Sequence, residues 1–219
     1  MKRFNTSVFF PFLFLLVACS GVKTEKWPNG YIKSEISMHG KERNGPAKYW
    51  YEDGTIQMEC TYKKNKLEGI LTRYLPTGYK EELQTYKNDT LNGQNLQWDR
   101  LGDLVVEAYY AKGKLHGHYR ELYPNKQTKT EGLYVNGDID GQWLYFDESG
   151  QVVGMGNFIR GNGIQKSYYP ENGQLKIMTP YKNNFKEGEE IEYSPEGKKM
   201  KINIYSKGDL IETKTTLKH

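Results

Sequence analysis

His116 and His118 stand two residues apart, a spacing that points two imidazoles the same way from a strand and could begin a zinc site. No third ligand is evident, so solvated turn residues are the expected reading. Asp138-Ile-Asp140-Gly141 places two carboxylates in a polar turn, as a calcium loop would. The oxygen series ending on a glutamate at the twelfth position is missing, and calcium is not expected. Gly154-Met-Gly156 and Gly161-Asn-Gly163 precede no helix, so neither reads as a phosphate loop. There is no Gly-x-Ser-x-Gly nucleophile elbow. Cys60 is expected to be a small half-buried strand residue rather than a reactive thiol. Glu35, Glu59, Glu107 and Glu131 share one column, read as a wet face or as a carboxylate stripe for a basic partner. No catalytic residue, cofactor or metal is therefore predicted.

The elements that carry these residues repeat. Gly30, Gly54, Gly78, Gly102, Lys126, Gly150, Gly173 and Gly197 are 24 residues apart, except for a gap of 23 before Gly173. Fifteen residues after most of them stands a second glycine: Gly45, Gly69, Gly93, Gly117, Gly141 and Gly188. Eight residues after them come Met38, Tyr62, Tyr86, Tyr110, Tyr134, Phe158, Tyr181 and Tyr205. Within one unit, Ile56, Met58, Cys60 and Tyr62 alternate with polar residues, the period of a half-buried strand. Lys63–Glu68 reads as a polar turn closed by Gly69, and Ile70–Tyr74 as a second strand. Leu75-Pro76-Thr77-Gly78 then reads as a type I turn closed by a left-handed glycine. A second column, Trp50, Tyr74, Trp98, Leu122, Phe146 and Tyr193, falls 20 residues after the turn glycine. Tyr169 is expected in it, one place early. The two columns predict two ladders along an all-β, elongated, twisted antiparallel meander of stacked hairpins.

Two irregularities stand out. Lys126 occupies a column otherwise made of glycine. The sixth unit compresses its first turn to Arg160-Gly161-Asn162-Gly163, which reads as loop variation or a kink.

The N-terminus reads as a secretory leader: Lys2 and Arg3, then an apolar run from Val8 to Val17 too short to span a membrane. Leu16-Val17-Ala18-Cys19 resembles a bacterial lipobox. The resemblance implies a lipoprotein signal peptide over 1–18 and acylation of Cys19, with Ser20 favouring the outer membrane. A polar tether over 19–26, repeats over 27–212 and a polar tail over 213–219 complete the expected organisation. Removing Lys2 and Arg3 with the leader leaves 29 basic against 27 acidic residues, so nucleic acid is not an expected partner.

Tyr62-Lys-Lys-Asn-Lys-Leu-Glu-Gly69, Tyr110-Ala-Lys-Gly-Lys-Leu-His-Gly117 and Tyr134-Val-Asn-Gly-Asp-Ile-Asp-Gly141 resemble MORN repeats. They are similar to the bacterial variant of YwqK-type, antitoxin-like proteins. The resemblance implies antiparallel hairpins stacked into a sheet. His118-Tyr119 after Gly117 departs from the eukaryotic pattern, which has a second glycine there. The expected function is a lipid-anchored, non-enzymatic protein-interaction surface of the cell envelope. An antitoxin or immunity protein and a glycan-binding module are the alternatives.

Overall fold

The computed structural model describes residues 20–215, which contain strands and turns and no helix. Residues 1–18, Cys19 and residues 216–219 lie outside the described residues. The first strands are β1 Ser20–Lys26, β2 Ile32–His39, β3 Glu42–Trp50, β4 Ile56–Lys63, β5 Lys66–Leu67, β6 Gly69–Tyr74 and β7 Lys80–Lys87. Then come β8 Thr90–Trp98, β9 Leu104–Ala111, β10 Lys114–Leu115, β11 Gly117–Leu122, β12 Thr128–Val135, β13 Asp138–Phe146 and β14 Val152–Ile159. The last are β15 Asn162–Tyr168, β16 Leu175–Lys182, β17 Phe185–Lys186, β18 Gly188–Tyr193, β19 Lys199–Ser206 and β20 Asp209–Thr215. All pairings are antiparallel and join chain neighbours, except that β5 and β6 together face β4, β10 and β11 face β9, and β17 and β18 face β16. Within the sheet β1 pairs only with β2, and β20 only with β19, so the sheet is open. The fold is the expected all-β meander of hairpins.

Two corrections concern its ends. Ser20–Lys26, expected as a tether, is β1 and pairs with β2 from Ser20–His39 to Lys26–Ile32. Its alternating residues complete the ladder of β2, whose backbone would otherwise be an open edge. Thr213–Thr215, expected in the tail, likewise belong to β20.

Two kinds of turn build each unit. Between units, Gly30, Gly54, Gly78, Gly102, Gly150, Gly173 and Gly197 all have φ between 67° and 92°. The glycine N–H bonds back three residues, as Gly78 does to the Leu75 carbonyl at 2.8 Å. Lys126 adopts the same left-handed geometry at φ 69°. At the opposite end the hairpin tips are two-residue turns with positive φ at both positions. Lys64-Asn65, Asn88-Asp89 and Asn136-Gly137 are examples. This mirror-image turn matches the twist of the strands it joins.

The second glycine does not close that turn. It sits in a bulge: Ile36 faces Ala47 and Met38 faces Arg43, so β3 carries two extra residues around Gly45. Gly45, Gly69, Gly93, Gly117, Gly141 and Gly188 accordingly have φ between 65° and 130°. The sixth unit corrects the expected compressed turn. Its tip, Arg160-Gly161, is an ordinary two-residue one, and what is missing is the bulge. Gly156 faces Gln165 and Phe158 faces Gly163 without a register shift. The following turn is one residue longer, with the Gly173 N–H bonding back four residues to the Tyr169 carbonyl at 2.8 Å.

Strict alternation gives the sheet two faces. Face A carries the first ladder, Tyr62, Tyr86, Tyr110, Tyr134, Phe158, Tyr181 and Tyr205. Beside it runs a column of mostly smaller residues: Ala47, Cys60, Leu71, Asn95 and Ala108 are each 5% exposed or less. Near Cys60 the cover is Tyr62, with Ile36, Tyr49, Met58, Leu67 and Tyr86 packed around. Farther along, the Trp143 indole lies over Gly132, donates to the Leu133 carbonyl at 3.1 Å and meets Tyr134 edge-on at 5.0 Å. A β-carbon on Gly132 would lie 2.2 Å from that ring.

The second ladder falls at the strand ends. Trp50, Tyr74, Trp98, Phe146 and Tyr193 lie just past a register shift at the strand ends, half-buried. Tyr168, not Tyr169, takes this place in the sixth unit, opposite Leu175. The ladder turns to face B, where the Tyr74 hydroxyl donates to Glu59 Oε2 at 3.0 Å.

Lys126→Gly should raise stability by about 1 kcal/mol, since a left-handed lysine is strained. Its ion pair with Asp103 at 3.3 Å joins an exposed side chain and offsets little. A lower melting temperature would contradict the turn assignment. Gly132→Ala should lower stability by about 2 kcal/mol through overpacking against Trp143, read by denaturant unfolding. Burial pushes the hydroxyls of Tyr62, Tyr119 and Tyr145 well above the usual tyrosine value. The native state therefore keeps protons that the unfolded chain releases near pH 10, roughly the free tyrosine value. Their contribution is whole below that pH and is lost progressively from there up to the raised native values. The share of tyrosinate absorbance that comes from the buried hydroxyls should appear only together with alkaline unfolding; full tyrosinate absorbance reached while the sheet is still folded would contradict the buried ladder.

Candidate interaction surface

The residues that looked chemically capable are held by structural bonds. His116 Nδ1 accepts the backbone N–H of Asn136 at 3.3 Å, and Asp140 Oδ2 accepts that of Arg160 at 2.8 Å. Asn44, Glu68, Asn92 and Glu187 do the same for Lys64, Asn88, Lys112 and Lys207. In each case the residue before a second glycine anchors the next hairpin tip, 20 residues on. The sequence signal for it is the unbroken run of acceptors before those glycines. Asp138 accepts from Asn184 Nδ2 at 2.9 Å. Among the described residues no three His, Cys, Asp or Glu side chains gather to hold a metal ion. Cys60 is buried, and burial pushes its thiol up, which disfavours the nucleophilic thiolate.

A second periodic bond joins neighbouring units at their other end. Trp27 Nε1 donates to the Trp50 carbonyl at 3.1 Å. The hydroxyls of Tyr51, Tyr123 and Tyr169 donate to the carbonyls of Tyr74, Phe146 and Tyr193 at 2.7–2.9 Å. At these four inter-unit turns, which open on an aromatic residue, that residue ties the turn to the end of the next unit. Its sequence signal was the aromatic at one place beyond the second ladder.

The glutamate column lies on face B, as its odd spacing required. It is not a plain carboxylate stripe. Cross-strand register interleaves basic residues into Glu35–Lys48–Glu59 and Glu107–Arg120–Glu131. Lys48 Nζ meets Glu59 at 2.9 Å, and Arg120 Nε donates to Glu107 Oε2 at 2.8 Å. Each triplet keeps one carboxylate in excess.

Around the second triplet the face dips into a trough of about 590 Å³. Glu107, Tyr109, His118, Arg120, Leu133 and Leu144 line it. Tyr109 is 43% exposed there, an aromatic ring presented to solvent beside an acidic excess. Such a surface offers apolar contact, a ring and a charge to a macromolecular partner, without a nucleophile aligned to a base.

No curated protein matches the chain significantly. Residues 43–64, 115–136, 139–160 and 162–183 each match the family described as MORN repeat variant. Each match runs from just after one hairpin tip to the first residue of the next, so it holds two antiparallel strands and the inter-unit turn between them. Four pairs of its strands thus carry segments that match the MORN repeat variant.

Proposed function

We propose that this protein is a non-enzymatic scaffold of the cell envelope, held to the membrane by lipid on Cys19 and binding a protein partner through face B. The trough around Arg120 is the observation that supports this reading. It combines exposed Tyr109, the apolar Leu133 and Leu144, and a carboxylate in excess at Glu131. The partner that fits presents a basic side chain flanked by apolar ones, since like charge there would oppose association. Repeats suit such a role because every added hairpin extends one continuous face. Two or three acyl chains on Cys19 would give the durable attachment that a single chain does not.

Crosslinking capture from membranes tests it. The unaltered protein should retain a specific protein, and Tyr109→Ala together with Glu131→Lys should cut that capture about tenfold, the effect of one lost anchor. The melting temperature of this variant should stay unchanged. Cys19→Ala should move the protein out of the membrane fraction. Capture of no specific partner, or a variant that captures as well as the parent, would remove the support for this reading.

A further inference from the structure

Face A carries a second recess, of about 140 Å³, where β15, β16 and β18 meet. Its floor is polar and ordered. The Glu190 carboxylate, in a residue only 9% exposed, accepts from Lys186 Nζ at 2.6 Å and Thr179 Oγ1 at 2.8 Å. Asn203 Nδ2 donates to its other oxygen at 3.2 Å. Beside this network the Ser167 hydroxyl is shielded from solvent without a hydrogen-bond partner. Gln165 and Ile177 complete the lining, and the Tyr181 ring, braced edge-on by Phe158 at 5.6 Å, forms one wall.

We infer that this recess binds one neutral, hydroxylated ring, the chemistry of a sugar residue. Lys186 and Glu190 cancel each other's charge, which leaves no excess to select an anion or a cation. Gln165 offers directional hydrogen bonding to a ligand hydroxyl, as does Ser167 once its shielded hydroxyl rotates about χ1 toward the recess, and Tyr181 offers a flat apolar face. Buried polar groups are nearly always satisfied, so the lone Ser167 hydroxyl is an incomplete site that a ligand hydroxyl completes. The recess takes about five waters at roughly 30 Å³ each, or one small ring in their place. It opens on the face opposite the Arg120 trough, so it stands apart from the protein-binding reading.

Calorimetric titration of the full chain with glucose, N-acetylglucosamine and its β-linked trimer tests this, with inorganic phosphate as the charged comparison. At least one sugar should bind saturably and phosphate should not. Ser167→Ala should weaken that binding about tenfold, the effect of one hydrogen bond, with a melting temperature no lower than the parent's. Glu190→Gln should weaken it further, and if that variant fails to fold, Ser167→Ala decides alone. Absence of saturable heat with all three sugars, a preference for phosphate, or sugar binding undiminished in Ser167→Ala would each overturn the inference. Capture of a protein through the Arg120 trough should be unaffected by Ser167→Ala, so the two readings fail separately.

Discussion

A sheet with no second layer against it must make its core out of its own side chains, and this constraint shapes the rest of the molecule. Neither a helix nor a second sheet covers face A among the described residues. Burial is achieved sideways. Aromatic side chains at the ladder positions lean over a neighbouring column kept small or compact, which is why Ala47 and Cys60 are almost fully shielded. Where the aromatic is largest, the neighbour shrinks to glycine, as Gly132 does beneath Trp143. Large rings suit this arrangement because each removes much apolar area from water with little loss of rotamer freedom.

Adjacent hairpins are joined by more than their shared strand ladder. At one end, aromatic hydroxyl or indole donors reach the next unit's last strand carbonyl. At the other, an acceptor before the second glycine holds the next tip's backbone N–H. Backbone groups in turns are obligatory hydrogen bonders. Satisfying them from the neighbouring unit makes each hairpin's local geometry depend on its neighbour. Residues that might have formed a metal or catalytic site are thereby engaged in repetition itself.

The sixth unit shows what the bulge contributes. Without it, the tip at Gly161 carries no bulge residues, and Asn184 of the next tip reaches past it to the unit before. Asn184 accepts from the Ile139 N–H at 2.9 Å and donates to Asp138 at 2.9 Å, a contact that skips a hairpin. Gly161 has no side chain to obstruct this, since a β-carbon there would lie 2.6 Å from Asn184 Oδ1. The irregular unit is therefore accommodated by a longer-range tie, and the neutral recess on face A lies at its far side.

Much of this was legible in the sequence because the information is local. A positive φ demands glycine or a tolerant substitute, and a half-buried strand demands alternation, so Gly54, Tyr62 and their equivalents announce turns and strands directly. The same alternation placed Glu59 and Tyr62 on opposite faces. What the sequence left open depends on register between strands. A two-residue excess in one strand looks the same as a longer turn until the partner residues are known, so Gly69 and the shortened sixth unit were misplaced. The pairing of Arg120 with Glu107, the shelter over Ser167 and the incorporation of Ser20–Lys26 as a strand likewise arise only when distant residues are set side by side. Spacing along the chain determined the repeat; the lateral register of the folded sheet decided which side chains meet.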